Sequence, residues 1–263
     1  MDRLQFAIRC SLLIVLSIGF AGCGHFYEDI SARNDKGEWW DFGYKWDLAM
    51  NQGGPPLEVL AKSQDGDLRR RAIERLDEPS DPKEREHYIT VLAASARSER
   101  DAISRLTAVQ KLGTYKDPAA TKALVEAYSV PANVQEKNGI IQVTIVQSLG
   151  KTKDPAGLST LVAALDPKNS EDLRASAAHS IGKFPPSQPL YDASAALLAS
   201  MKQEKSTVVK HEAHQSLVRI TGRDLPANPQ VWDQAFQQAA AKGEPLAKEP
   251  STMLRLVNWW NDE

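Results

Sequence analysis

The sequence predicts an all-α fold: a right-handed α-solenoid of about five helical hairpins, closed by a cap at each end. The first observation is a repeat. A leucine-like position, a basic or polar residue, a small residue and a second leucine-like residue recur five times. The copies are Leu68-Arg69…Ala72…Leu76, Ser104-Arg105…Ala108…Leu112, Ile141-Gln142…Ile145…Leu149, Leu173-Arg174…Ala177…Ile181 and Val209-Lys210…Ala213…Leu217. Their last positions lie 36, 37, 32 and 36 residues apart. A unit of that size is one hairpin, too small to bury its apolar face without a neighbour. The second observation is spacing: Leu68, Ala72, Ile73 and Leu76, and later Leu173, Ala177, Ala178 and Ile181, fall on one face of a 3.6-residue helix. The third is the lack of sustained alternation of the kind that marks a sheet. Ile140 to Val146 is β-branched, but the repeat register places it on a helix.

In chain order, residues 1–22 read as a signal peptide. Arg3 and Arg9 are the cationic start, Ser11 to Phe20 the apolar core, and Ala21-Gly22 the small residues before Cys23. That core is too short for a permanent span. Residues 23–56 read as a tether and N-terminal cap, dense in rings (Phe26, Tyr27, Trp39, Trp40, Phe42, Tyr44, Trp46) where a plain spacer would be Gly- or Ser-rich. Those rings would cover the first hairpin's open end or touch lipid headgroups. Gly53-Gly54-Pro55-Pro56 breaks the chain, and the solenoid is expected over 57–240.

Within each unit the first helix carries the repeated pattern. Gly113, Gly150 and Gly182 follow its last apolar residue and are expected to end it in the left-handed conformation. Asp117-Pro118 and Asp154-Pro155 then start the second helix, Asp as the cap and Pro at the first position. The second helices carry Ile89, Leu92 and Ala96; Leu124, Ala127 and Tyr128; Leu158, Leu161 and Leu165; Leu190, Leu197 and Met201; and Trp232, Ala235 and Phe236. Residues 241–263 read as a C-terminal cap with Trp259 and Trp260 packed or partly exposed.

Leu-Gly-x-x-x-Asp-Pro-Ala after such a helix resembles the HEAT repeats of the short bacterial type. Phe20-Ala21-Gly22-Cys23 resembles the lipobox of bacterial lipoproteins, departing from it at Phe20, where Leu is usual. Together they resemble an exported bacterial HEAT-repeat lipoprotein. The second resemblance implies cleavage before Cys23 and acylation of that residue, hence a membrane anchor. Gly24 gives no acidic retention signal, so in a cell with two membranes the outer one, facing the periplasm, is the expected site. Cys10 would be lost on cleavage, leaving no thiol for a disulfide, a zinc cluster or a nucleophile.

The net charge is −2, and cleavage, by removing Arg3, Arg9 and Asp2, would take it to −3. A dedicated nucleic-acid binder would show a basic excess, so no nucleic-acid partner is expected. His211-Glu212-Ala213-His214 is the most metal-like run. Its histidines are three apart rather than the four of zinc proteases. The di-iron hydroxylases built on HEAT repeats use several His-Glu pairs, and this chain has one. No metal and no cofactor are therefore expected. His179 lies near the packed face and reads as an inter-repeat histidine. There is no phosphate loop, Gly-x-Ser-x-Gly elbow or Cys nucleophile, so no catalytic residue is assigned and the chain is not expected to be an enzyme.

Arg69, Arg105, Arg174 and Lys210 occupy one register position, with Gln142 in the third copy. They form either a stripe for an anionic partner or a ladder of inter-repeat ion pairs with groups such as Asp67, Asp101 and Asp172. The functional expectation is a membrane-anchored scaffold or adaptor for an unidentified protein or peptide. Its surface would lie on the second helices, at Lys122, Glu126, Ser159, Thr160 and Lys202. The alternatives are a bilin-lyase-like or chaperone-type HEAT protein handling a small ligand, and a structural envelope component.

Overall fold

The computed structural model describes residues 55–136, 139–185 and 191–242. Cys23, the signal peptide, the aromatic tether, Leu190 and the C-terminal cap with Trp259 and Trp260 lie outside them. The chain divides into two units, 1–72 and 73–263.

In the first unit, α1 (Pro56–Lys62) opens with proline at its first position and buries Val59 and Leu60. The helix α2 (Gly66–Glu74) begins here, its first turn held by the Asp65 carboxylate, which accepts from the amides of Asp67 and Leu68.

The second unit continues with α3 (Pro82–Ser98), α4 (Ala102–Leu112), α5 (Pro118–Tyr128), a single turn α6 (Pro131–Val134), α7 (Ile140–Thr152), α8 (Leu158–Ala164) after a 3-10 turn, α9 (Glu171–Ile181), α10 (Tyr191–Gln203), α11 (Thr207–Thr221) and α12 (Pro229–Lys242). Among the described residues there is no strand. The first helices of the repeats, α4, α7, α9 and α11, pack side by side in one layer, and the second helices, α3, α5, α8, α10 and α12, form the other. This is an all-α solenoid, as the repeat predicts. The repeated apolar positions are its core: Ala108, Leu112, Ile145, Leu149, Ala177, Ile181, Ala213 and Leu217 are all fully buried between the layers.

The helix starts follow the capping chemistry. Asp117 accepts from the Ala119 amide and Asp154 from the Ala156 amide, each with proline next in line. Asp81-Pro82 does the same for α3, with the Glu84 amide as donor. Asp101, Ser170 and Ser206 cap α4, α9 and α11. Asp101 accepts from both the amide and the hydroxyl of Ser104. Burial works to raise its pKa, but these bonds outweigh it and hold the carboxyl below its ordinary value.

The glycines correct one expectation. Gly113 and Gly182 sit at φ −67° and −65°, and Gly150 lies inside α7, all in right-handed geometry. The left-handed residues among those described are Gly139, Lys153 and Gly222. Close approach, not handedness, requires the three glycines. A Cβ on Gly113 would lie 2.6 Å from Ser148 Cβ, and one on Gly150 would lie 2.7 Å from Ser180 Cβ. Gly182 faces Ser216 in the same way. The glycine of one first helix thus receives the serine of the next, one notch per repeat.

At the α4–α5 corner Tyr115 is fully buried, its hydroxyl 3.0 Å from both the Leu76 and Asp77 carbonyl oxygens. Burial is the main cause that pushes its phenol above the ordinary range.

Candidate interaction surface and the arginine clamps

Each repeat must turn from a second helix into the next first helix, and that turn leaves carbonyls without helical donors. The basic register position supplies the donors. Arg69 donates to the carbonyls of Leu60 and Ser63. Arg105 Nη1 donates to the Glu99 and Arg100 carbonyls at 2.7 and 3.2 Å. Gln142 donates to the Tyr128 carbonyl at 3.4 Å, and Arg174 donates to the Asn169 carbonyl. Gln142, which interrupts the basic pattern in the sequence, keeps its hydrogen-bonding role.

Two of these side chains also reach forward to the turn that leads into the following repeat. Arg105 Nε donates to Asn133 Oδ1 at 3.0 Å, and its Nη2 to the Ala132 carbonyl at 3.3 Å. Arg174 grips Glu204 with two bonds of 2.6 and 3.0 Å. Both arginines are largely withdrawn from solvent, Arg105 to 7% exposure and the Arg174 side chain to 12%. The Arg174 bond is the largest influence on Glu204, whose carboxyl is pulled down from 4.5 to about 2. Bonds from the Lys205 and Ser206 amides act in the same direction, against burial. Asp101 and Asp67, expected as acidic partners, have other work: Asp101 caps α4, and Asp67 pairs with Arg70 and Arg71. Lys210 is exposed, and so is Asp172.

Asn133 and Glu204 were not singled out from the sequence. Asn133 is fully buried on the short α6, and its amide also donates to the Ala96 and Ala127 carbonyls, each at 3.0 Å. The signals were their offsets from the arginines, 28 residues for Asn133 and 30 for Glu204.

The histidines serve the same end. His179 Nδ1 lies 3.0 Å from Glu212 Oε2 of the next first helix. His214 Nε2 donates to the Leu225 carbonyl at 2.8 Å, and its ring meets Trp232 edge-on at 6.1 Å. His211 is exposed. His211, Glu212 and His214 therefore send their side chains to three different places, and Ala213 packs in the core. Among the described residues no three His, Cys, Asp or Glu groups are placed to hold a metal ion.

Of the expected second-helix surface, Lys122, Glu126, Ser159 and Lys202 are exposed, whereas Thr160 is buried against its neighbours. Thr160 is corrected because it lies on the buried face of α8 beside Leu161 and Ala164. Glu126 pairs with Arg97 at 2.6 Å and Lys202 with Asp233 at 2.6 Å, each across two second helices. Between α8 and α10 a cleft of about 660 Å³ opens beside Arg174 and Glu204. Small side chains, Ala163, Ala196, Ala199 and Ser200, leave that space.

Residues 130–218 match the family model for HEAT repeats, the stretch from α6 through most of α11. No curated protein matches the chain. The stacked hairpins define an α-solenoid, and over residues 130–218 its repeats are similar to HEAT repeats. Proteins of this class are typically non-enzymatic and present extended surfaces to protein partners. Among the described residues no helix is long and apolar enough to cross a membrane.

Proposed function

We propose that the chain is a lipoprotein, cut before Cys23 and acylated there, which holds its solenoid at the envelope as a non-enzymatic scaffold for a protein partner. In a cell with two membranes its place is the outer one, on the periplasmic side. The observation that carries this reading is the junction of Ala21-Gly22-Cys23, behind a short apolar segment, to a series of HEAT-like hairpins. The acyl chains supply attachment, since dual acylation gives stable membrane binding where one chain does not. The repeats supply area.

The test is metabolic labelling with a fatty acid, then cross-linking in the native envelope, for the wild type and Cys23→Ser. The expected outcome is a labelled, membrane-bound wild type that recovers a discrete partner, and an unlabelled variant that leaves the membrane and recovers less. An unlabelled wild type sinks the anchor. Wild type recovered alone sinks the scaffold.

A further inference from the structure

The exposed face of the first-helix layer is built in rows. Gln110, Gln147, His179 and Gln215 occupy one register position on α4, α7, α9 and α11. Four residues further on lie Thr114, Lys151, Lys183 and Arg219, and seven residues back lie Ile103, Ile140, Asp172 and Val208. Steps of four and three keep those that lie within the helices on one stripe; Thr114 and Lys183 fall in the turns just past α4 and α9. The notches of Gly113 on Ser148, Gly150 on Ser180 and Gly182 on Ser216 hold the four helices in matching register, so equal positions become rows. The His179–Glu212 contact shows the face continuing from α9 to α11.

The middle row is an amide ladder. A glutamine carries a donor NH2 and an acceptor carbonyl, the complement of a peptide unit. Gln110 and Gln147 are exposed and Gln215 half-exposed. Packed helices stand about 8–10 Å apart. A polyproline II segment repeats every three residues at 3.1 Å each, about 9.3 Å, with its backbone groups unbonded internally. One turn of such a segment matches one repeat. A β-strand, whose side repeats every two residues at about 3.3 Å each, does not.

The flanking rows give the partner its chemistry. Lys151, exposed, and Arg219, half-exposed, put cations along one edge of α7 and α11. Ile103, Ile140 and Val208 are 58%, 49% and 53% exposed along the other, interrupted by Asp172. We propose that this face binds an acidic polypeptide segment in the polyproline II conformation. The glutamines would hold its backbone, the basic row its carboxylates and the aliphatic row its apolar side chains. This deepens the scaffold reading and rests on it.

The probe is a fluorescent peptide repeating Glu-Pro-Leu, titrated with the full-length chain in detergent and followed by anisotropy. Its charge-reversed control repeats Lys-Pro-Leu. The expected result is binding of the acidic peptide, at least about tenfold weaker binding of the basic one, and at least about tenfold loss of affinity in Gln110→Ala/Gln147→Ala. Both glutamines are exposed, so the variant's circular dichroism and melting temperature should not change. In Lys151→Glu/Arg219→Glu the preference should shift toward the basic peptide. No binding by the wild type, equal affinity for both peptides, or full affinity in the glutamine variant overturns the proposal. If that glutamine variant still recovers the wild-type partner by cross-linking, this face is wrong and the scaffold reading stands.

Discussion

Arg105 Nε lies 3.0 Å from Asn133 Oδ1, joining a first helix to the turn that leads into the next repeat. The contact is buried on both sides, and Asn133 donates its amide N–H groups to the Ala96 and Ala127 carbonyls. One side chain therefore ties α3, α4 and α5 together. The junction is satisfied only while both members are present.

Removing one member should cost more than one hydrogen bond. Asn133→Ala leaves the Arg105 Nε–H and two carbonyls without these partners in a buried place. A buried group left unsatisfied costs about 1–3 kcal/mol, more when it is charged. Asn133→Ala is expected to destabilise the fold by about 2–4 kcal/mol. Arg105→Ala should cost a similar amount. The double variant should cost clearly less than the sum, a coupling of about 1–3 kcal/mol. Urea unfolding of the four proteins measures it. Additive effects would mean that the two residues act separately.

The Arg174–Glu204 pair predicts a specific response to acid. Glu204 falls from 4.5 to about 2 on folding, chiefly through its bond with Arg174. A carboxylate with a depressed pKa adds its full stabilisation above the unfolded value and loses it as pH falls through the folded one. The contribution is therefore complete above about pH 4.5 and fades toward pH 2. Glu204→Gln removes it at every pH. The melting temperature of the wild type should exceed that of Glu204→Gln at pH 6, and the gap should close between pH 4.5 and 2. Charge-assisted bonds of this kind are worth about 2 kcal/mol. A gap that stays constant over this window would detach the effect from the carboxylate.

The repeats, the helix starts and most of the core were legible because each depends on chemistry local to a few residues. Asp117-Pro118 and Asp154-Pro155 announce their caps within three positions. The arginine row was legible as a row, but its partners were not. Arg105 meets Asn133, Arg174 meets Glu204, and both clasp main-chain carbonyls, which carry no sequence label. Gln142 looked like a break because only charge was compared, whereas the turn requires a donor. The glycines were misread for a similar reason. A glycine after a helix suggests a left-handed end, and only the neighbouring helix reveals Ser148 or Ser180 in the space a Cβ would take. The amide ladder on the first-helix face depends on register between helices, which the notches set.

Those notches give the last prediction. Gly150 lies within α7, where alanine would raise helix propensity by about 1 kcal/mol. Propensity alone therefore predicts that Gly150→Ala stabilises. Packing predicts the reverse, because the new methyl would sit 2.7 Å from Ser180 Cβ and 3.0 Å from its Cα. Backbone cannot swing aside as a long side chain can, so α7 and α9 must separate, and overpacking of this kind costs about 1–3 kcal/mol. The expected outcome is net destabilisation by Gly150→Ala. Adding Ser180→Gly should return part of the loss, although that second change alone weakens α9 by its own propensity cost. Thermal melts of the two single variants and the double variant decide between the effects. A rise in melting temperature for Gly150→Ala would show that the helices yield at no cost, and the glycine would then have no packing reason to be there.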